Sequence, residues 1–167
     1  MGTTKENLEF AFAGESQASR KYTYFAEKAD QEGHRRFARL FKAAADAETV
    51  HARNHLKVMK GIGSTAENLK AAIRGEHHEF TEMYPDFIKT AKAEGNKKAA
   101  DSFDLANKVE KIHHKLYSDA IEELERGKET EAKSFYVCQY CGNTVEGEIP
   151  DKCPVCGAPK TMFKLID

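Results

Sequence analysis

Four long segments of the chain carry apolar residues at alternating steps of three and four, the spacing of a packed helical seam. They run from about Thr4 to Gln31, His34 to Lys60, Thr65 to Glu94 and Asn96 to Arg126. A glycine follows the end of each segment within two residues, as is common at helix C-termini. The pattern predicts four helices that pack as a bundle.

One proline interrupts this pattern. Pro85 lies inside the third segment. Because proline has no N–H, it removes one helical hydrogen bond, and we expect the helix to kink near Thr81 to Tyr84.

The pattern changes from Ser134 onward. Short β-type runs at 135–137, 144–145 and 162–166 alternate with Gly and Pro turns. The charged stretch 128–134 is the predicted linker. The sequence thus predicts a helical domain over residues 1–127 and a small β/loop domain over residues 135–167.

Composition limits the function classes. The chain has 167 residues, and 26 Lys+Arg against 27 Asp+Glu give a net charge of −1, so no basic excess indicates nucleic acid or an anionic membrane surface. No apolar run approaches the ~20 residues of a membrane span, and the N-terminus lacks an apolar signal region. These features predict a soluble cytoplasmic protein.

Acidic and imidazole side chains interrupt the apolar seams near the middle of all four helices. Two helices carry a Glu-x-x-His pair, and the full set is Glu15, Glu48, His51, Glu76, Glu79, Glu110 and His113. Buried carboxylates without partners are costly, and five in one bundle repel each other. Two divalent ions supply +4 against −5, so the pattern predicts a pair of metal ions. Mixed carboxylate and imidazole ligands favour iron or manganese, although zinc can occupy such sites.

Single members of this set have ordinary alternatives. A lone seam glutamate such as Glu15 can extend its carboxylate to water, and Glu76 with Glu79 can be surface charge. His55 has no carboxylate at matching spacing and is interpreted as a core histidine. The joint pattern over four helices is what favours metal.

All four cysteines lie in the C-terminal domain. They form two Cys-x-x-Cys pairs, Cys138 with Cys141 and Cys153 with Cys156, separated by 11 residues. In a reducing cytoplasm this spacing indicates one tetrahedral thiolate metal site rather than disulfides. The spacing leaves zinc and iron open. Iron is favoured because a neighbouring dimetal bundle needs electrons.

Taken together, these motifs resemble rubrerythrin. They are Gly14-Glu15-Ser16-Gln17-Ala18, Ala47-Glu48-Thr49-Val50-His51, Gly75-Glu76-His77-His78-Glu79 with Met83-Tyr84-Pro85, Glu110-Lys111-Ile112-His113, and Cys153-Pro154-Val155-Cys156-Gly157. The resemblance covers nearly the whole chain. It implies a mainly α fold, a ferritin-like four-helix bundle with a non-haem di-iron site, followed by a rubredoxin-like Fe(Cys)4 domain.

The resemblance also implies an NAD(P)H-linked peroxidase that reduces hydrogen peroxide to water in oxidative-stress defence. Electrons would come from an external reductase or rubredoxin-type protein, since the chain has no nucleotide-binding fingerprint.

Ligand roles follow from the same resemblance. Glu48 and Glu110 would bridge the two irons, with Glu15 and Glu79 on one iron and Glu76 and His113 on the other. His51 would replace Glu79 on reduction. Tyr22 and Tyr84 match tyrosines beside the family's site, although simple seam packing also explains such tyrosines.

Three rival functions remain at this point. A ferritin-type iron-storage or ferroxidase protein would need no one-electron carrier. A manganese catalase-like enzyme would need no electron donor. In a zinc-ribbon regulatory or structural protein, the cysteine site would be colourless.

The connection between the second and third helices carries an expectation about assembly. About four residues, Gly61 to Ser64, span only ~14 Å, whereas a ferritin-like bundle runs its second and third helices parallel over ~40 Å. The bundle is therefore either simple up-down-up-down or completed by exchange of hairpins in a domain-swapped homodimer. The ferritin-like ligand pattern favours the exchange.

Overall fold

The structure is a computed structural model that describes residues 2–127 and 134–166. Its helices are α1 (Thr4–Gln31), α2 (Arg35–Val58), α3 (Thr65–His78), a π-helical segment (Glu79–Met83), α4 (Tyr84–Ala93) and α5 (Lys97–Glu125). Its strands are β1 (Phe135–Cys138), β2 (Thr144–Glu146) and β3 (Phe163–Ile166). The predicted helical segments and β-type runs are confirmed. The described chain forms two compact units, one up to Gly63 and one from Ser64 onward.

The first unit is the α1–α2 hairpin. Thr3 begins α1 with a capping box, in which its side chain accepts from the Glu6 backbone and Glu6 accepts from the Thr3 backbone. The seam between the helices is built from small residues: Ser19, Ala26, Ala29, Ala38, Ala45 and Ala52 are all buried. A hydrogen bond of 2.8 Å joins the hydroxyls of Ser19 and Thr49 across this seam. Small side chains let the two backbones approach closely, so ligand-bearing positions on α1 and α2 face each other.

The helices of the second unit are α3, the π-helical segment and α4, all packed against α5. Ser64 begins α3 with a second capping box, formed with Glu67, and Asn96 caps α5 through the backbone N–H of Ala99. The Tyr84 N–H bonds to the Glu79 carbonyl, five residues back. The helix thus contains a single wide turn directly before Pro85, where a kink was predicted; the kink itself stays a prediction.

The cysteine-bearing part of the second unit is a three-stranded antiparallel sheet in the order β2-β1-β3. Two matching turns follow from the Cys-x-x-Cys-Gly pattern. The Gly142 N–H bonds to the Cys138 carbonyl and the Gly157 N–H to the Cys153 carbonyl, both at 2.8 Å. Both glycines adopt positive φ, 83° and 76°, which a side chain would strain. Each turn brings its two cysteines to the same side of the chain.

Residues 128–133, most of the predicted linker, lie outside the described residues, so the linker stays a prediction. Within the described ranges, no helix is long and apolar enough to cross a membrane.

Candidate metal centres

The first cluster of ligand-type side chains lies in the α1–α2 hairpin and consists of Glu15, Glu48 and His51. His51 Nδ1 is 2.8 Å from Glu48 Oε2 and 3.9 Å from Glu15 Oε1. One ligand atom from each residue lies within 4.8 Å of the others. The hairpin thus supplies two carboxylates and one imidazole at a single point.

The second cluster lies between α3 and α5 and consists of Glu76, Glu110 and His113. His113 Nδ1 is 2.7 Å from Glu110 Oε2 and 3.9 Å from Glu76 Oε2. The geometry matches that of the first cluster: a Glu-x-x-His pair on one helix faces a glutamate from another. Each unit therefore carries a matching set of two carboxylates and one imidazole.

Electrostatics in the second cluster show excess negative charge. Burial, followed by the hydrogen bond and charge of Glu110, raises the pKa of Glu76 to about 7. The pKa of Glu79 is raised by burial and then by the Glu110 carboxylate, and that of Tyr84 is raised by burial and then by Glu110, Glu79 and Glu76. These effects place Glu79 and Tyr84 beside the cluster, although Glu79 is not one of its three close members.

One oxygen tests whether this cluster suits a metal. Glu76 Oε2 is buried and has no hydrogen-bond partner among the described residues. It lies 3.9 Å from His113 Nδ1, too far for a hydrogen bond. A buried carboxylate oxygen left without a partner is costly. A cation shared by Glu76, Glu110 and His113 removes that cost, so the residues fit a metal site.

Tyr22 lies in different surroundings from Tyr84. Its ring centroid is 6.1 Å from that of Phe25 and 6.3 Å from that of Phe41, within an aromatic group of the hairpin. These contacts are the seam packing that the sequence offered as the simpler explanation. A role for Tyr22 in the reaction stays a prediction.

The four cysteines converge at one point. The Sγ atoms of Cys138 and Cys156 are 3.8 Å apart, those of Cys141 and Cys153 are 3.6 Å apart, and all four lie within 4.8 Å of one another. A tetrahedral ion with metal–sulfur bonds of ~2.3 Å requires sulfur–sulfur separations of ~3.8 Å. The thiols are therefore already spaced for one metal ion.

Two polar residues that the sequence did not single out complete these sites. Asn143 is 1% exposed, and its side-chain Nδ2 donates to Cys153 Sγ at 3.6 Å. Burial alone would raise the pKa of Cys153, but hydrogen bonds from the Cys156 and Val155 backbones and from neighbouring thiols lower it to about 7. Cys153 Sγ thus accepts hydrogen bonds from the Asn143 side chain and from the Cys156 and Val155 backbones.

The second such residue is Thr144, at the start of β2. Its Oγ1 lies 2.9 Å from His113 Nε2 on α5. The partners are 31 positions apart in sequence, so no local spacing signals this contact. It joins the cysteine-bearing sheet to a member of the second cluster.

Comparisons with known proteins agree with this geometry. The sequence profile of the rubrerythrin family matches residues 6–121, and that of the rubrerythrin rubredoxin-like domain matches residues 136–164. The chain belongs to the rubrerythrin family. This identification confirms the predicted fold class, a ferritin-like bundle with a rubredoxin-like domain. It also gives the chain the cofactors of a rubrerythrin, a di-iron carboxylate site and an Fe(Cys)4 site.

Individual rubrerythrins align with the chain nearly end to end. Rubrerythrin-2 of Clostridium acetobutylicum is 37% identical, covering 98% of this chain and 96% of that protein. The rubrerythrin of Nitratidesulfovibrio vulgaris is 35% identical, covering 98% and 94%. A solved structure of nigerythrin in a mixed-valence state is 35% identical, with a TM-score of 0.59, covering 99% of this chain and 88% of that one.

The pKa of Glu76 predicts how iron binding responds to pH. Below about 7 this carboxyl carries a proton, the Glu110 hydrogen bond raises the pKa of His113 as well, and both groups must lose their protons to bind a cation, so we expect ferrous iron affinity to fall by at least about tenfold per pH unit there. In protein whose cysteines already hold zinc, calorimetry in two buffers should show at least about one more proton released per cluster at pH 6 than at pH 8. Equal proton release at both pH values would contradict this.

Asn143 is expected to raise the reduction potential of the Fe(Cys)4 site, because its N–H···S bond favours the more negative ferrous form. Asn143→Leu should lower the potential by about 40 mV, the equivalent of ~1 kcal/mol for one electron. Gln139→Leu is the matched control, since the Gln139 amide bonds to the Val137 carbonyl instead of a sulfur. Spectroelectrochemistry gives both values, and equal potentials in the two variants would refute the role.

Proposed function

We propose that this protein is a non-haem di-iron peroxidase that protects against oxidative stress. It reduces hydrogen peroxide to water with electrons that originate from NAD(P)H and arrive, through a reductase or rubredoxin-type protein, at the Fe(Cys)4 centre. One observation carries the proposal. The chain combines two matching Glu-x-x-His clusters with a four-cysteine site, and a hydrogen bond joins the cysteine-bearing sheet to one of the clusters.

The ligands of this proposal comprise the two clusters, Glu79 and the cysteines. The di-iron ligands are Glu15, Glu48, His51, Glu76, Glu79, Glu110 and His113, and the third iron is held by Cys138, Cys141, Cys153 and Cys156. Glu48 and Glu110 are the proposed bridges. In support of this, each is the carboxylate nearest to the histidine of its own cluster.

Peroxide reduction to two water molecules consumes two electrons and two protons. The di-iron site, when reduced, supplies the two electrons. Groups of this chain handle the protons: Glu79 has a raised pKa beside the cluster, which suits a carboxyl that holds a proton and gives it up during turnover. Tyr84 carries its hydroxyl proton at neutral pH, as tyrosines ordinarily do; burial and then the neighbouring carboxylates raise its pKa further, so it can donate a hydrogen bond.

The two histidines differ in a way that supports exchange of Glu79 for His51. The His51 side chain is 53% exposed and that of His113 only 26%. His113 has a partner at each ring nitrogen, Glu110 and Thr144, whereas the polar contacts described for His51 all involve Nδ1. His113 is thus suited to permanent ligation and His51 to ligation in only one redox state.

A variant of His51 tests the enzyme assignment. His51→Ala should slow peroxide consumption by the reduced protein by about tenfold or more, because a ligand is lost. His55→Ala, four residues along the same helix, is the matched control and should leave the rate unchanged. Stopped-flow mixing of reduced protein with peroxide measures both. Full activity in His51→Ala would contradict the assignment, and mineral loading far above two irons per site would favour a ferritin-type store.

The helix connection supports a proposal about assembly. The connection was predicted as about four residues, but α2 ends at Val58 and α3 begins at Thr65, which leaves six. The longer connection still spans no more than ~25 Å. The 24 residues of α2 are ~36 Å long. The connection therefore cannot carry the chain back along α2, as a parallel second and third helix would require.

We therefore propose a homodimer in which the hairpin of one chain completes the bundle of its partner. Each di-iron site then combines Glu15, Glu48 and His51 from one copy with the second cluster from the other. Either cluster alone holds only two carboxylates and one histidine, too few ligands for two iron ions. A simple up-down-up-down bundle within one chain is the alternative.

Mixed dimers separate these two arrangements. Glu48→Ala damages the first cluster and Glu110→Ala the second, so each variant alone should be inactive. In a hybrid with exchanged hairpins, one site holds both defects and the other is intact, so about half of the wild-type activity per dimer should return. Co-expression with two affinity tags isolates the hybrid. An inactive hybrid with normal dimerisation would show that each chain builds its own site.

A further inference from the structure

The contact between Thr144 and His113 crosses from the cysteine-bearing sheet to a di-iron ligand of the proposed site. Thr144 Oγ1 lies 2.9 Å from His113 Nε2 and donates to the Gly142 carbonyl at 3.3 Å. Gly142 directly follows Cys141 in the chain. One side chain thus connects a knuckle of the four-cysteine site to the second cluster.

The chemistry of the hydroxyl sets the direction of this hydrogen bond. A threonine hydroxyl has one proton and two lone pairs. Since the proton is given to the Gly142 carbonyl, Oγ1 accepts from His113, and Nε2 must carry the hydrogen. The opposite ring nitrogen, Nδ1, faces Glu110 at 2.7 Å and Glu76 at 3.9 Å. Nδ1 donates to the Glu110 carboxylate, and when a metal replaces that proton, the neutral ring keeps its hydrogen on Nε2 and offers the lone pair of Nδ1 to the metal.

We propose that Thr144 is a positioning residue, whose hydroxyl holds His113 in the Nε2–H tautomer and aims Nδ1 at the metal of the second cluster. The inference rests on the proposed di-iron function and adds a dependence between the two metal centres. Thr144 lies in β2, which pairs with β1, and β1 ends at Cys138. Ordering of the cysteine site by its own metal therefore orders the residue that fixes His113.

The first cluster provides the internal comparison. His51 meets Glu48 and Glu15 through the same nitrogen as His113 meets Glu110 and Glu76, and the distances agree to within 0.1 Å. Both of its carboxylates lie in the α1–α2 hairpin, and so does His51 itself. The Thr144 contact therefore distinguishes two otherwise matching ligand sets. Loss of the hydroxyl should weaken the second cluster and spare the first.

Two substitutions separate the hydroxyl from the shape of Thr144. Thr144→Val keeps the branched shape that suits a strand and removes the hydroxyl, whereas Thr144→Ser keeps the hydroxyl and removes a methyl group. If Thr144 only packs within β2, the valine variant should bind iron as tightly as the wild type, and the serine variant should bind it more weakly. If Thr144 positions His113, the serine variant should bind iron about as tightly as the wild type, and the valine variant should bind it more weakly.

The first measurement needs no activity and no iron. In full-length protein labelled with ¹⁵N-histidine and loaded with diamagnetic zinc, the wild type and Thr144→Ser should show a slowly exchanging His113 ring proton on Nε2. Thr144→Val should lose its protection from exchange with water. A ring proton on Nδ1 in the wild type, or equal protection in the valine variant, would overturn the proposal.

The second measurement is iron affinity by competition with a chelator on the full chain. Thr144→Val should release iron from one of the two di-iron positions about ten- to hundredfold more readily than wild type. Thr144→Ser should stay near wild type, and the iron–thiolate absorption should persist in all three proteins. A valine variant that holds iron as tightly as wild type beside a weaker serine variant would assign Thr144 to packing and overturn the proposal, and equal weakening in both variants would also overturn it.

The experiments distinguish failure of the proposed peroxidase function from failure of the proposed role of Thr144. If the protein binds iron at these carboxylates without reducing peroxide, the wild type is inactive but the contrast between valine and serine persists. If the peroxidase is confirmed and the contrast is absent, only the role of Thr144 is wrong.

Discussion

The main physical constraint on this structure is the free-energy cost of placing several carboxylates inside a helical bundle. A carboxylate removed from water without a partner is costly, and neighbouring carboxylates raise that cost further. The second cluster shows the effect directly: the pKa of Glu76 rises to about 7, and one of its oxygens has no hydrogen-bond partner among the described residues. Metal binding removes this penalty. The fold is therefore arranged to hold cations, and small seam residues such as Ala45 and Ala52 give the ligand-bearing helices room to approach.

The two units repeat one ligand geometry with different support. Each has a Glu-x-x-His pair facing a glutamate on another helix, and the corresponding distances agree to 0.1 Å. The surroundings then separate the two clusters. His113 is mostly covered and held at both ring nitrogens, while His51 is half exposed. In the proposed di-iron site, the two histidines would therefore be held unequally, with His113 the more tightly positioned of the two. A reaction that alternates between oxidation states can make use of that difference.

Much of this arrangement could be predicted from the sequence, because it depends on contacts between residues that lie within a few positions of each other. The helix limits follow from apolar spacing, glycine stops and capping residues such as Ser64 and Asn96. Glu48 with His51 and Glu110 with His113 lie one helical turn apart, so their pairing needs no tertiary information. The Cys-x-x-Cys-Gly turns are equally local. The missing N–H of proline likewise marks where the helix is disturbed before Pro85, although the wide π-helical turn itself was not predicted.

The features that were not predicted from the sequence are mostly contacts between residues that lie far apart in the chain. Thr144 and Asn143 are ordinary polar residues of a short strand and its turn. Their partners, His113 and Cys153, are 31 and 10 positions away, and no periodicity links them. The length of the connection after α2 was also underestimated, because the helix ends at Val58 instead of continuing to Lys60. Helix ends depend on the last one or two hydrogen bonds, which sequence patterns locate poorly.

The contacts within each metal centre are local, whereas the hydrogen bond that joins the cysteine-bearing sheet to the second cluster is not. The cysteine turns are closed by bonds within four residues, so they can form without the bundle. The ligand pairs on α2 and α5 likewise need only their own helices. The hydrogen bond from His113 to Thr144 exists only when sheet and helix are both formed and docked, because its two partners belong to different elements. A shift of the sheet by one residue would turn Thr144 to the other face and leave Nε2 without this acceptor. A single hydroxyl thus links the placement of the cysteine-bearing sheet to the placement of His113.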